Sequence, residues 1–146
     1  MPGRSFDTGG LTQDLREFLD ANVVGVLATN TLAGEPRQSL VYYARDGDRL
    51  LISTLADRWK ARDVRRTGWA SLTVMGHERP FPSATLSGPA EIETEGIGPA
   101  TAWIAQRMTG ADEPPAPMSD EALSEAGRVV LAITIDRARP VSYIGS

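Results

Sequence analysis

The chain has 146 residues, 41% hydrophobic and 23% charged, with a formal net charge of −4 and no cysteine. That length suits one domain with a real hydrophobic core, and the charge argues against a nucleic-acid binder while leaving a local basic face open. Without cysteine there are no disulfides, thiolate metal sites or cysteine nucleophiles; no apolar run approaches the ~20 residues of a membrane helix.

The opening MPGRSFDTGG lacks the apolar core of a signal peptide, so the expectation is a cytoplasmic protein with no membrane or nucleic-acid partner. Residues 1–10 are polar and glycine-bearing and are expected to be mobile. Leu11, Leu15, Phe18 and Leu19 recur at i, i+4, i+7 and i+8, the spacing of one helix face, and Asn22 is a natural stop. Val23 to Thr29 (VVGVLAT) reads as a buried strand with Gly25 a bulge or close-approach point. A turn over NTLAGE leads to a second strand, Pro36 to Ala44, and Asp46-Gly47 marks a hairpin into a third strand over Leu50 to Ser53.

Asp57 is the expected N-cap of a helix over roughly 58–67, closed by Gly68. Trp69 to Met75 is a fourth strand. Ser83 to Thr94 is a long fifth, in which Gly88-Pro89 implies a bulge or an edge. Helices are predicted from Pro99 to about Met108 and over about 120–126, capped by Ser119 and closed by Gly127, with a proline-rich loop between them. Strands over Val129 to Ile135 and Val141 to Ile144 finish the chain. No internal repeat and no second domain is apparent. Many consecutive strands and few helices give an α+β class, with a six- or seven-stranded, mostly antiparallel Greek-key barrel preferred to a sandwich.

The functional signal lies where the third strand becomes a helix. Hydroxyls (Ser53, Thr54) are followed by cations (Arg58, Lys60). That order suits a phosphate: hydroxyls and free backbone N–H groups donate hydrogen bonds, the helix N-terminus is the positive end of a dipole, and the cations neutralise charge. The same residues also fit ordinary strand polarity followed by a solvated helix. Arg58, Arg62, Arg65 and Arg66 share one helix face, which is usually a solvated face; the functional alternative is a groove for a polyanion.

His77, the one histidine, sits in a loop beside Glu78 and Arg79 and reads as surface, so neither zinc nor haem is expected. Glu91 and Glu93 share a strand face and read as solvent-facing. Trp59, Trp69 and Trp103 read as core or dimer contacts. Tyr42 and Tyr43 alternate faces, so one can approach a ligand while the other packs. No nucleophile triad is recognisable.

The segments VVGVLAT, GEPRQS, LLIST, DRWKARDVRR and SLTV resemble the split-barrel flavin-binding superfamily typified by pyridoxamine 5′-phosphate oxidase, and within it the actinobacterial branch that uses the deazaflavin coenzyme F420. The resemblance covers roughly residues 20 to 95 and returns weakly over 128–144. It implies a homodimer of split barrels with two cofactor sites between the subunits. Arg37 and Ser39 would stand beside the cofactor ring, and Ser53, Thr54, Arg58 and Lys60 around the phosphate. Where family members often carry an asparagine-leucine pair after the lysine, this chain has Asp63-Val64, an acid that would oppose anion binding if it faced the site.

The activity implied is hydride transfer between F420 and a small conjugated organic substrate, with Tyr42, Tyr43 or solvent supplying any proton and no catalytic side chain assigned. FMN in the same groove is the alternative cofactor. A non-catalytic cofactor-binding protein and a small nucleic-acid-binding barrel are the alternatives of other classes. F420 continues past its phosphate through a lactyl group into several glutamates, and Arg62 and Arg66, with Arg65, are the cations expected to meet that tail.

Overall fold

The computed structural model describes residues 4–5, 11–139 and 141–143. In chain order the elements are β1 (Arg4–Ser5), α1 (Gln13–Ala21), β2 (Val24–Asn30), β3 (Pro36–Tyr42), β4 (Ala44–Asp46), β5 (Arg49–Leu55), α2 (Trp59–Thr67), β6 (Trp69–Met75), β7 (Pro82–Glu93), α3 (Gly98–Thr109), α4 (Asp120–Glu125), β8 (Arg128–Thr134), β9 (Arg137–Ala138) and β10 (Ser142–Tyr143). Of the leading stretch expected to be mobile, Arg4–Ser5 pair with β9; the rest lies outside the described residues.

Seven strands run antiparallel in the order β3-β2-β6-β7-β8-β5-β4. The two edges of that order, β3 and β4, are consecutive in the chain and separated by one residue, Tyr43. A flat sheet cannot satisfy this, so the sheet curls until its edges meet, giving the half-barrel of an α+β split-barrel fold. The second strand expected from sequence, Pro36 to Ala44, is therefore broken at Tyr43, whose fully buried side chain anchors the corner.

Two apolar clusters follow from the curl. One fills the barrel, with Leu27, Leu50, Ile52, Leu72, Leu86, Leu131 and Ile133 inside and Leu15 and Leu19 of α1 closing an end. The other lies outside the sheet, where Ile97 and Ile104 of the α3 region and Leu123 of α4 cover Leu51, Val130 and Ala132. Val129 to Ile133 is buried at every position because β8 has barrel on one face and helices on the other.

Two of the close approaches that require glycine shape the sheet itself. A Cβ on Gly25 would sit 2.8 Å from Leu72 Cδ1, so β2 can lie tight against β6. A Cβ on Gly88 would lie 1.9 Å from the Thr134 carbonyl oxygen. Here β7 leaves β6, its partner over Ser83 to Pro89, and takes up β8 over Ala90 to Glu93. Gly88-Pro89 is thus a crossing between two halves of the sheet: its register to β6 is unbroken, whereas on the other side the pairing passes from Ala90–Ile133 to Ser87–Arg137 with one extra residue on the facing strand, so the expected bulge lies opposite the Gly-Pro pair. Glu93 is half-buried and accepts from Arg49 Nη2 at 2.7 Å, unlike the solvent-facing residue expected. No helix among the described residues is long and apolar enough to cross a membrane.

Candidate functional site

The N-terminus of α2 is open. Its N-cap is Arg58, in extended conformation (φ −70°, ψ 147°), and no side chain caps the helix. Asp57, the expected cap, falls one residue early and is exposed. The first N–H groups of a helix have no intrahelical partner, and here no carboxylate competes for them. An arginine cap leaves an anion site where an aspartate cap would have filled it.

Lys60, in the first turn, lines a cavity of about 320 Å³ together with Ser53 of β5. Leu40, Val41 and Tyr42 of β3 form a second wall, and Thr101, Ile104, Ala105 and Met108 of α3 form a third, with Arg128 of β8 also on the lining. The α3 residues are spaced i, i+3, i+4 and i+7, so one helix face makes the wall. Partial burial, reinforced by the charge of Arg58, lowers the Lys60 ammonium below the ordinary lysine range. An amine held under those conditions gains from a nearby anion.

The other expected site residues divide. Thr54 is buried and, by strand alternation, shares the barrel-facing side with Leu50 and Ile52, away from Ser53. Arg58 is exposed at the helix start and close enough to act on Lys60. Arg37 and Ser39 share the inward side of β3 with Val41. Neither lines the cavity, and Ser39 Oγ is buried without a hydrogen-bond partner.

Asp63, the departure from the family pattern, does not face the cavity. It is fully buried beneath α2, accepts from Thr29 Oγ1 at 3.0 Å and Arg66 Nη2 at 2.6 Å, and has Arg37 Nε at 3.5 Å. It therefore neutralises cations from behind the site instead of repelling anions within it. Arg66 is engaged by this contact, and Arg65 donates to the Ala56 carbonyl at 3.0 Å. At ~100° per residue, Lys60 lies about 160° round the helix from Arg62. Hence Arg62 and Arg66 are not brought onto the cavity wall, and the shared arginine face is largely the solvent side of α2.

Tyr42 lines the cavity, whereas Tyr43 is removed from any proton-donor role. Its hydroxyl donates to the Leu19 carbonyl at 2.6 Å, and burial, only partly opposed by the charge of Arg107, pushes its phenol above the ordinary tyrosine range. His77 is exposed in its loop. Among the described residues no three His, Asp or Glu side chains gather as a metal site.

Sequence reasoning missed the α3 wall and Arg128. The i, i+3, i+4, i+7 spacing of Thr101, Ile104, Ala105 and Met108 was visible, but nothing local says that this face meets β3 and β5. Thr101 Oγ1 has no hydrogen-bond partner, an uncommon state for a buried hydroxyl.

These features fit a flavin-type group. The cavity lining combines a hydroxyl and an ammonium at an uncapped helix N-terminus, which suit a phosphate, with Leu40, Ile104, Met108 and Tyr42 as surfaces for a planar ring.

A family model described as pyridoxamine 5′-phosphate oxidase matches residues 11–142. No curated protein matches the chain. Among solved structures, an F420 reductase superposes with a TM-score of 0.68 at 22% identity, covering 90% of this chain and 98% of that one. A FAD-binding protein from Mesorhizobium loti gives 0.64 at 26% identity, covering 94% and 96%. A heme-binding protein from Mycobacterium smegmatis gives 0.62 at 22% identity, covering 88% of this chain and 53% of that one.

Proposed function

Because the chain belongs to the pyridoxamine 5′-phosphate oxidase family, we propose that its cavity takes a phosphate-bearing flavin-type cofactor and that the protein is an oxidoreductase, with coenzyme F420 as the cofactor and a small conjugated molecule as the substrate. The observation that carries this reading is the pairing of Ser53 and Lys60 at an uncapped helix N-terminus with an apolar wall on the same cavity. When bound, the deazaflavin would supply the hydride. The chain's part is to bind, orient and exclude water: Ser53 and Lys60 hold the phosphate, and the β3 and α3 walls flank the ring. Tyr42 is the one hydroxyl of the tyrosine pair on the cavity.

F420 is preferred to FMN because of what lies past the phosphate. Arg58 sits beside Lys60, and Arg62 follows one turn on, so a short cationic strip leads from the clamp along the exposed side of α2. Among the described residues no partner engages the Arg62 side chain, whereas Arg66 is held by Asp63. The strip suits a polyglutamate tail. Its contacts are exposed, so each is worth under about 1 kcal/mol and fades with salt. Titration of the pure protein should show tighter F420 than FMN binding at low ionic strength, a gap that narrows as salt rises, and selective loss of F420 affinity in Arg62→Glu. FMN that co-purifies and binds more tightly at low salt would replace this reading with an FMN-dependent enzyme, an outcome the FAD-binding relative makes concrete. A tightly bound cofactor that no reductant or conjugated substrate can turn over would mark a non-catalytic binding protein instead.

The clamp gives a second expectation. Lys60→Ala should weaken binding of either cofactor by roughly 1–3 kcal/mol and Ser53→Ala by about 1 kcal/mol. Lys60 binds phosphate in its charged form and its pKa is lowered, so affinity should fall as pH rises through a midpoint below the ordinary lysine value. Lys60→Arg should abolish that dependence, since arginine stays charged. Isothermal titration across the pH range measures both, and unchanged affinity in Lys60→Ala would place the phosphate elsewhere.

The proposal includes a homodimer. Leu40 is 74% exposed, Tyr42 40% and Met108 51%, all on the cavity lining. Apolar residues left so open around a site are covered well by a second copy. Sedimentation at micromolar concentration should show a dimer; a monomer with full cofactor affinity would remove the shared-site part of the proposal.

A further inference from the structure

Trp59 is the first residue of α2 and half-buried. Two cations from different elements converge on its indole: the Arg37 guanidinium carbon lies 5.5 Å from the ring centroid, and Lys60 Nζ lies 5.6 Å from it. Both are within the ~6 Å at which a ring face attracts a cation. Arg37 is also drawn from behind by Asp63, its Nε lying 3.5 Å from Oδ2. Like charges do not gather without something to hold them. Arg37, Arg58 and Lys60 surround one helix N-terminus, and the one buried acid nearby is already bonded to Arg66 and Thr29.

We infer that Trp59 is a positioning residue: its indole carries Arg37 and Lys60 as a pair and thereby sets where Lys60, the member on the cavity lining, stands to receive an anionic ligand, with Arg37 adding its charge from outside that lining. This rests on the cofactor reading for the ligand's identity, although the frame itself does not. The ring supplies what a second acid could not. A carboxylate there would neutralise the cations and compete with the phosphate, whereas a quadrupole steadies them and leaves their charge available. Asp63, four residues further along α2, also fixes one member, so Arg37 is held by a buried acid and an aromatic face of the same helix.

The frame can be tested without cofactor. The charged groups around Lys60 are Arg58 on its own helix, Arg37 across the shared ring and Arg128 on the cavity wall, with the Tyr42 hydroxyl also lining that cavity. In Trp59→Leu the aliphatic side chain preserves apolar cover but removes the π face. The Lys60 ammonium, followed by NMR of its side-chain carbon, should then titrate lower by about half a pH unit. A merely structural role predicts the opposite sign, because a loosened helix end hydrates the amine and raises its pKa. Repeating the titration in an Arg37→Gln background removes any contribution from movement of Arg37, and the fall should persist.

Trp59→Phe, with a weaker face and a milder change, should lie between wild type and Trp59→Leu. It also carries the test if the leucine variant fails to fold. With ligands, Trp59→Leu should weaken FMN about tenfold and riboflavin, which lacks the phosphate, less than twofold. Equal weakening of FMN and riboflavin, or a Lys60 titration that is unchanged or moves upward in both variants, overturns the inference. Failure of the wild type to bind either FMN or F420 overturns the cofactor reading instead and leaves the lysine titration to decide the frame.

Discussion

Asp63→Ala should destabilise the protein by about 3 kcal/mol, a fall in Tm of roughly 10 °C, although Asp63 touches no part of the cavity. The reason is its environment. The carboxylate is 0% exposed and accepts from Thr29 Oγ1 and Arg66 Nη2, with Arg37 Nε close by. Deletion strands the Thr29 hydroxyl, itself fully buried, without its acceptor and leaves two guanidinium groups facing the void. Both arginine side chains are 39% exposed, so water can recover part of their solvation; that keeps the expected loss at the lower end for a broken buried pair. Asp63→Asn keeps an oxygen for Thr29 and should lose only about 1–2 kcal/mol. Thermal or denaturant unfolding measures both. Near-equal stability of the alanine variant and wild type would show that the network is not formed in solution.

The same residue shows where sequence reading reaches its limit. Strands such as VVGVLAT and WASLTVM carry their pattern locally, and an antiparallel α+β barrel is legible from them, whereas its split form is implied by the family resemblance. Asp63 lies among arginines on an amphipathic helix, and its sequence alone leaves open whether it faces the site; its burial depends on Thr29, thirty-four positions earlier, which no local spacing reports. The break at Tyr43 is of the same kind. YYA is continuous extended sequence, and only the need for β3 and β4 to lie at opposite edges of one curled sheet turns it into a corner. The α2 cap was misplaced by one residue because Asp57 is the better capping side chain, while the turn leaving β5 sets the extended residue at Arg58. Ser53 and Lys60 can be paired from sequence because strand and helix are adjacent there, and both line the cavity; the α3 wall opposite them is assembled from about fifty residues away.

Arg107→Ala should be nearly as costly as loss of Asp63, about 2–4 kcal/mol, and should weaken cofactor binding as well. The helix α1 ends without a basic residue in its last turn, so its exposed carbonyls and negative dipole end need outside partners. All come from side chains. Asn22 Nδ2 donates to the Phe18 carbonyl at 2.8 Å and the Tyr43 hydroxyl to that of Leu19 at 2.6 Å. Arg107 Nη1 donates to the Asp20 carbonyl at 3.4 Å and Nη2 to the Asn22 carbonyl, while its Nε donates to the Tyr43 carbonyl at 2.8 Å. Its guanidinium carbon also lies 5.4 Å from the Tyr43 ring centroid. One cation from α3 thus caps α1 and pins the β3–β4 corner. It is one residue before Met108 and two after Ala105, both on the cavity wall. Removing it releases the end of that wall from the barrel, so FMN and F420 affinity should fall together by a few-fold. Arg107→Lys, which keeps the charge but cannot reach three carbonyls in fixed geometry, should restore the dipole contribution and less than half of the stability. Denaturant unfolding paired with cofactor titration separates the two effects. Full affinity in a clearly destabilised Arg107→Ala would show that the α3 wall is held by its apolar contacts alone, through Ile97, Ile104 and their neighbours on β5 and β8.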